Sequence, residues 1–127
     1  MPRILMIEDN EDNRDMLARR LRRRGFDVVL ACDGAQGVEM ALSETPDLIL
    51  MDLNMPDLDG WEATRLLKAS GDTMHIPIIA LTAHELPGNR ERLVAMGCAD
   101  YHTKPVELSD LLAQIESILK TSHGNCP

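Results

Sequence analysis

Leu48-Ile49-Leu50-Met51-Asp52-Leu53-Asn54-Met55-Pro56-Asp57-Leu58-Asp59-Gly60 is the stretch on which the fold turns. Four apolar residues stand in a row with no polar alternation, the signature of a strand covered on both faces. Strands covered in that way belong to parallel sheets flanked by helices. The run then meets a carboxylate, Asp52, and passes into Asn, Pro, Asp and Gly, the residues that favour turns. A buried strand therefore delivers an acidic side chain to its own carboxyl end.

Similar runs recur along the chain at Ile4-Leu5-Met6-Ile7, Val28-Val29-Leu30-Ala31 and Ile78-Ile79-Ala80-Leu81. A fifth, more polar run, Ala99-Asp100-Tyr101-His102, reads as an edge strand. Helical spacing fills the intervals. Asn10 to Arg24 sets Met16, Leu17 and Leu21 on one stripe, and Gly34 to Glu44 carries Val38, Ala41 and Leu42. Gly60 to Ser70 carries Ala63, Leu66 and Leu67 with Gly71 as its stop, and Gly88 to Met96 carries Leu93, Val94 and Met96 with Gly97 beyond. Glu107 to Lys120 holds the last apolar stripe. A βα unit repeated in this way, with crossovers long enough for parallel strands, predicts an α/β fold with a doubly wound parallel sheet. Residues 1–120 form the expected domain, and 121–127 a short polar tail.

Composition narrows the function. The chain has 127 residues, 21 carboxylates against 13 Lys plus Arg, and a net charge of -8. That balance disfavours direct DNA binding, which needs cations to neutralise phosphates. One local reversal stands out: Arg14, Arg19, Arg20, Arg22, Arg23 and Arg24 crowd into one predicted helix. They read as a solvated face or as a docking patch for an acidic partner. Cys32, Cys98 and Cys126 show no metal-type spacing and read as reduced thiols. No apolar stretch reaches the roughly 18 residues of a membrane span, so no membrane insertion and a cytoplasmic location are expected.

Chemistry in such a sheet gathers at the carboxyl ends of the strands. There the sequence places Glu8-Asp9, Asp52, Thr82 and, after the fifth run, Lys104-Pro105. Taken singly, each has an ordinary reading as a cap, a turn residue or a surface lysine. Taken together, three converging carboxylates repel one another and call for a hard divalent cation, for which oxygen ligation suits Mg²⁺. An Asp carboxylate can attack a phosphoryl group, and a Lys can hold its oxygens as a point charge.

This ordered set resembles the receiver domains of bacterial two-component response regulators. The resemblance spans roughly residues 2–120. It rests on Glu8-Asp9, on Asp52 within residues 48–60, on Leu81-Thr82-Ala83 and on Tyr101-His102-Thr103-Lys104-Pro105. It implies a flavodoxin-like (βα)5 fold with five strands in the order 2-1-3-4-5. By the same resemblance Asp52 is the phosphoacceptor, supplied by a sensor histidine kinase or a histidine phosphotransferase. Glu8, Asp9, Asp52 and the Asn54 carbonyl would hold Mg²⁺ (or Mn²⁺). Lys104, Thr82 and the Ala83 N–H would contact the phosphoryl group, and Thr82 and Tyr101 would form the switch. Asn54 and His84 would tune the phosphoryl lifetime, and the Lys104-Pro105 bond would be cis.

A signalling module, not an enzyme beyond its own phosphorylation and dephosphorylation, is the leading expectation. It would act as a single-domain regulator or phosphorelay shuttle, monomeric or dimerising on phosphorylation. The start at Met1 and the short tail favour a complete protein. An aspartate-nucleophile phosphatase of the haloacid dehalogenase type is the enzymatic alternative, but it would carry its motif after the first strand. An FMN-binding flavodoxin-like protein is a third, disfavoured by the acidic pocket and by having only Phe26, Trp61 and Tyr101 as aromatics.

Overall fold

A computed structural model of the chain describes residues 2–53, 60–82, 89–104 and 106–124. Strands and helices alternate throughout: β1 Arg3–Ile7, α1 Glu11–Arg23, β2 Asp27–Ala31, α2 Gly34–Glu44 and β3 Leu48–Asp52. They continue as α3 Gly60–Ala69, β4 Ile78–Thr82, α4 Asn89–Ala95, β5 Asp100–Thr103 and α5 Leu108–Gly124. The strands make one parallel sheet in the order β2-β1-β3-β4-β5, the doubly wound arrangement expected from the sequence.

Alternation along each strand sorts the core into two layers, because neighbouring side chains leave opposite faces. Ile4, Met6, Leu48, Leu50, Ile79 and Leu81 pack beneath α1 and α5 with Leu17, Leu21, Leu111 and Ile115. Leu5, Ile7, Ile49, Met51, Ile78 and Ala80 pack on the opposite face with Ala41, Ala63, Leu67 and Leu93. β3 and β4 are buried along their whole length, whereas β5 is not, in keeping with its polar sequence at the sheet edge.

Local chemistry sets the helix ends. Asn10 caps α1 by accepting from the Asn13 N–H at 2.9 Å, and Asp33 caps α2 through the Gln36 N–H at 2.7 Å. Beyond α1, Gly25 adopts φ 92°, its N–H reaching the Arg22 carbonyl while the Phe26 N–H reaches that of Leu21. Gly97 repeats the device beyond α4 with φ 97° and bonds to Val94 and, from Cys98, to Leu93. Gly71 lies outside the left-handed region, so α3 ends at Ala69 without the glycine stop expected for it. α5 runs on to Gly124, four residues past the end read from its apolar stripe at Lys120.

Some apolar residues expected on the inner stripes face outward. Met16, Leu42, Leu66 and Val94 are all exposed. Spacing alone gives the direction of a helix's apolar stripe but not its width.

Candidate functional site

The site forms where β1, β3, β4 and β5 end. Glu8 follows β1 directly, Asp52 closes β3, Thr82 closes β4, and Lys104 follows β5. Backbone bonds extend the sheet past these ends. The Glu8 N–H donates to Ala31 O at 3.2 Å, Leu53 N–H to Leu81 O at 2.9 Å, and Lys104 N–H to Thr82 O at 2.7 Å. The side chains thus stand on a rigid edge, which is what a reacting constellation requires.

Glu8 and Asp52 are 4% and 1% exposed, so two carboxylates are buried side by side. Lys104 makes this tolerable: its Nζ lies 3.2 Å from Glu8 Oε2 and 3.2 Å from Asp52 Oδ1. A buried ion costs several kcal/mol in lost hydration, and here close partners offset that cost. Burial pushes the Glu8 carboxyl above its ordinary range, and the Asp52 charge adds to the rise; Lys104 and the Asn10 N–H, which donates to Glu8 Oε1, pull the other way. Burial works against the charge on Lys104, yet attraction to Asp52 and Glu8 outweighs it, and the ammonium pKa is raised.

Oxygens of Glu8, Asp9 and Asp52 all lie within 4.8 Å of one another. Among the described residues one ammonium stands between three carboxylates. A donor set of hard oxygens with excess negative charge, open to solvent at Asp9, fits a divalent cation of the Mg²⁺ kind.

The residues expected from the sequence come together as far as they are described: Glu8, Asp9, Asp52, Thr82 and Lys104 share one edge, and Tyr101 stands half-buried on β5. Asn54, Ala83, His84 and Pro105 lie outside the described residues. The cap of α1 is neither Glu8 nor Asp9 but the next residue, Asn10. Two supports had no signal in the sequence as read. Arg14 Nη1 donates to the Glu8 carbonyl at 3.1 Å, holding the backbone of the acidic pair. Gly60, first residue of α3, presses against the Asp52 backbone, where a Cβ would stand 2.1 Å from the carbonyl oxygen.

Comparison with known proteins agrees with this architecture. Residues 4–116 match the family described as the response regulator receiver domain. The polar-differentiation response regulator DivK of Brucella anthropi is 34% identical over 94% of this chain and 98% of its own. Among solved structures, the receiver domain of a sensor histidine kinase from Pseudomonas aeruginosa PAO1 is 40% identical, covers 98% of both chains and has a TM-score of 0.82. That structure has a magnesium ion coordinated in its active site cleft. The Vibrio cholerae chemotaxis protein CheY4 superposes with a TM-score of 0.87 at 26% identity, covering 93% of this chain and 98% of its own.

Proposed function

The chain belongs to the response regulator receiver family, and from that membership we propose that Asp52 accepts a phosphoryl group from a phosphohistidine on a partner kinase or phosphotransferase. The observation that carries this reading is the buried Asp52 carboxylate, with its Oδ1 3.2 Å from Lys104 and with Glu8 and Asp9 alongside. Glu8, Asp9, Asp52 and the Asn54 carbonyl would hold Mg²⁺. When bound, that ion neutralises charge on the transferring oxygens.

The chain's own groups account for the rest. An Asp52 oxygen bonds to phosphorus as the donor's N–P bond breaks, and the imidazole leaves with the electron pair. Lys104, already at the site, turns from its carboxylates to a phosphoryl oxygen. Thr82 and the Ala83 N–H receive the others. Movement of Thr82 then draws Tyr101 inward, biasing two pre-existing states of the β4–β5 face. Asn54 and His84, two positions beyond Asp52 and Thr82 in the sequence, set the lifetime of the acyl phosphate. In this reading residues 1–120 act as a cytoplasmic signalling domain, whose only catalysis is on its own phosphoryl group. No helix among the described residues is long and apolar enough to cross a membrane.

Incubation with acetyl phosphate and Mg²⁺ is expected to add one phosphoryl group, seen by intact-mass spectrometry. Labelling disappears in Asp52→Asn and on chelation. Full labelling of Asp52→Asn would remove Asp52 from the role.

A further inference from the structure

A run of hydrogen bonds between β5 and α5 takes no part in the chemistry above. β5 is an outer strand of the sheet, so backbone groups on its free side have no strand to pair with. At Tyr101 side chains serve instead: the N–H donates to Asp100 Oδ1 at 2.8 Å, and the carbonyl accepts from Gln114 Nε2 at 2.9 Å. Gln114 Oε1 lies 2.9 Å from His102 Nδ1, and the Glu107 N–H donates to His102 Nε2 at 3.2 Å. The half-buried imidazole thus stands between the side chain of Gln114, in α5, and the backbone of Glu107, just before it.

The backbone groups at its two ends fix the polarity of this run. A carbonyl only accepts, so Gln114 turns its amide NH₂ towards Tyr101 and its oxygen towards the ring. A backbone N–H only donates, so Nε2 must offer it a lone pair. One species meets both conditions: the neutral ring with its proton on Nδ1. An imidazolium would set an Nε2–H against the Glu107 N–H and break the tie.

The ring's position gives the tie its consequence. His102 is in register with Leu81 of β4, whose side chain belongs to the core layer beneath α1 and α5, so the ring leaves the sheet on the α5 face. Tyr101 packs on the other. Lys104 follows His102 in the chain and precedes Glu107, so the ring-to-Glu107 bond brackets the residue whose Nζ reaches Asp52 and Glu8. On the elements that flank the ring, the charged groups are Asp100 and Lys104 along β5 and Glu107, Asp110, Glu116 and Lys120 along α5; β4 carries none. α4, with Glu91 and Arg92, lies on the opposite face, where Leu93 joins the other core layer. The Glu107 carboxylate accepts from the Ser109 N–H at 3.2 Å, so drawing an imidazolium towards it would not restore the bond lost at its backbone.

We propose that His102 and Gln114 are positioning residues for the acceptor site: together they clamp the segment that carries Lys104, and uptake of a proton by His102 releases it. The proposal rests on the acceptor reading only in taking Lys104 to meet the phosphoryl group. It makes phosphorylation sensitive to mild acid through a group outside the reacting set.

The ring nitrogens report the clamp without any phosphate. In two-bond ¹H–¹⁵N spectra of the intact protein at about pH 8, His102, identified by its loss in His102→Gln, should show a proton on Nδ1 and none on Nε2. On acidification towards about pH 5, the Glu107 amide signal should move in step with ring protonation. A proton on Nε2 at about pH 8, or a Glu107 amide that does not follow the ring, overturns the proposal.

Initial rates of acetyl phosphate labelling at saturating Mg²⁺ test the consequence. Gln114→Met, of similar length but without either hydrogen bond, should label about tenfold more slowly, as expected when a reacting group is slightly misplaced. Its affinity for Mg²⁺, measured by calorimetric titration, should be unchanged, because the carboxylates stand at the ends of β1 and β3. His102→Gln keeps an acceptor for Glu107 that does not titrate, so its rate relative to the unmutated protein should rise as pH falls from about 8 to 5. Unchanged rates in Gln114→Met, an equal loss of its Mg²⁺ affinity, or parallel pH profiles would each count against the clamp. Urea unfolding establishes that each variant is folded, and His102→Gln with the ring spectra carries the test if Gln114→Met is not. Absence of label on the unmutated protein would sink the acceptor reading and leave the ring result standing.

Discussion

A methyl group added at Gly60 would meet the Asp52 carbonyl oxygen at 2.1 Å and the Leu53 Cα at 2.6 Å, both backbone atoms that cannot rotate away. One added at Gly37 would meet first the Ile7 side chain, at 2.4 Å from its Cδ1. Both positions are overpacked by substitution, which costs about 1–3 kcal/mol in a tight interior. They should differ in function. Gly60→Ala is expected to lose both stability and Mg²⁺-dependent labelling, because the displaced backbone carries the acceptor. Gly37→Ala should lose stability while a folded fraction labels normally. Urea unfolding and the labelling assay check this pair, and normal labelling of Gly60→Ala would detach the glycine from the site. Asp52 and Thr82 were legible in the sequence because a polar residue interrupts an apolar run there. Gly60 was legible only as a turn residue, since its constraint comes from a backbone eight positions earlier that approaches it in space.

Strands were easier to read than helix margins. Continuous apolar runs locate β1 to β4 directly, whereas the stripes of α1 to α4 give a direction but not a width, so Met16, Leu42, Leu66 and Val94 emerge at the surface. The last turn of α5, through Gly124, carries no apolar signal and was read as tail. The turn from α4 into β5 shows what packing adds. Past Gly97, Cys98 is 8% exposed, and burial pushes its thiol up from 9.0 to about 11, with the Lys68 charge opposing. Because the folded thiol holds its proton more tightly than the unfolded one, its contribution to stability is complete below pH 9.0 and is lost as pH rises towards about 11. At about 1.4 kcal/mol per unit, the loss is of the order of 2–3 kcal/mol. Cys98→Ala should remove that part of the alkaline slope, measured as the difference between the urea stabilities of the two proteins from pH 8.5 to 11. Parallel slopes would contradict the assignment.

At the scale of the molecule, the sheet order sets β1 and β3 side by side, so their acidic ends meet, and β5 brings a cation from the edge. Parallel crossovers and doubly wound packing could be argued from the apolar runs, while the strand order came from resemblance. The tie of Lys104 to Glu8 as well as Asp52 was not legible, because it depends on reach across intervening strands. A cation held by the clustered carboxylates would leave a thermodynamic signature. A ligand that binds only the folded state, at a hundredfold excess over its Kd, stabilises it by about 2.7 kcal/mol, or roughly 8–15 °C in a domain of this size. Mg²⁺ is expected to raise the Tm of the unmutated protein accordingly, and that of Asp9→Asn far less; calorimetry without a Mg²⁺-dependent shift would count against the metal site. The Lys104–Glu8 contact joins residues 96 positions apart. The inner carboxylates and their ammonium are therefore brought together only once β5 has joined the sheet. A chain whose last strand has come away keeps its acidic ends but not that ammonium, so competence to receive a signal is a property of the completed sheet and not of its first four strands.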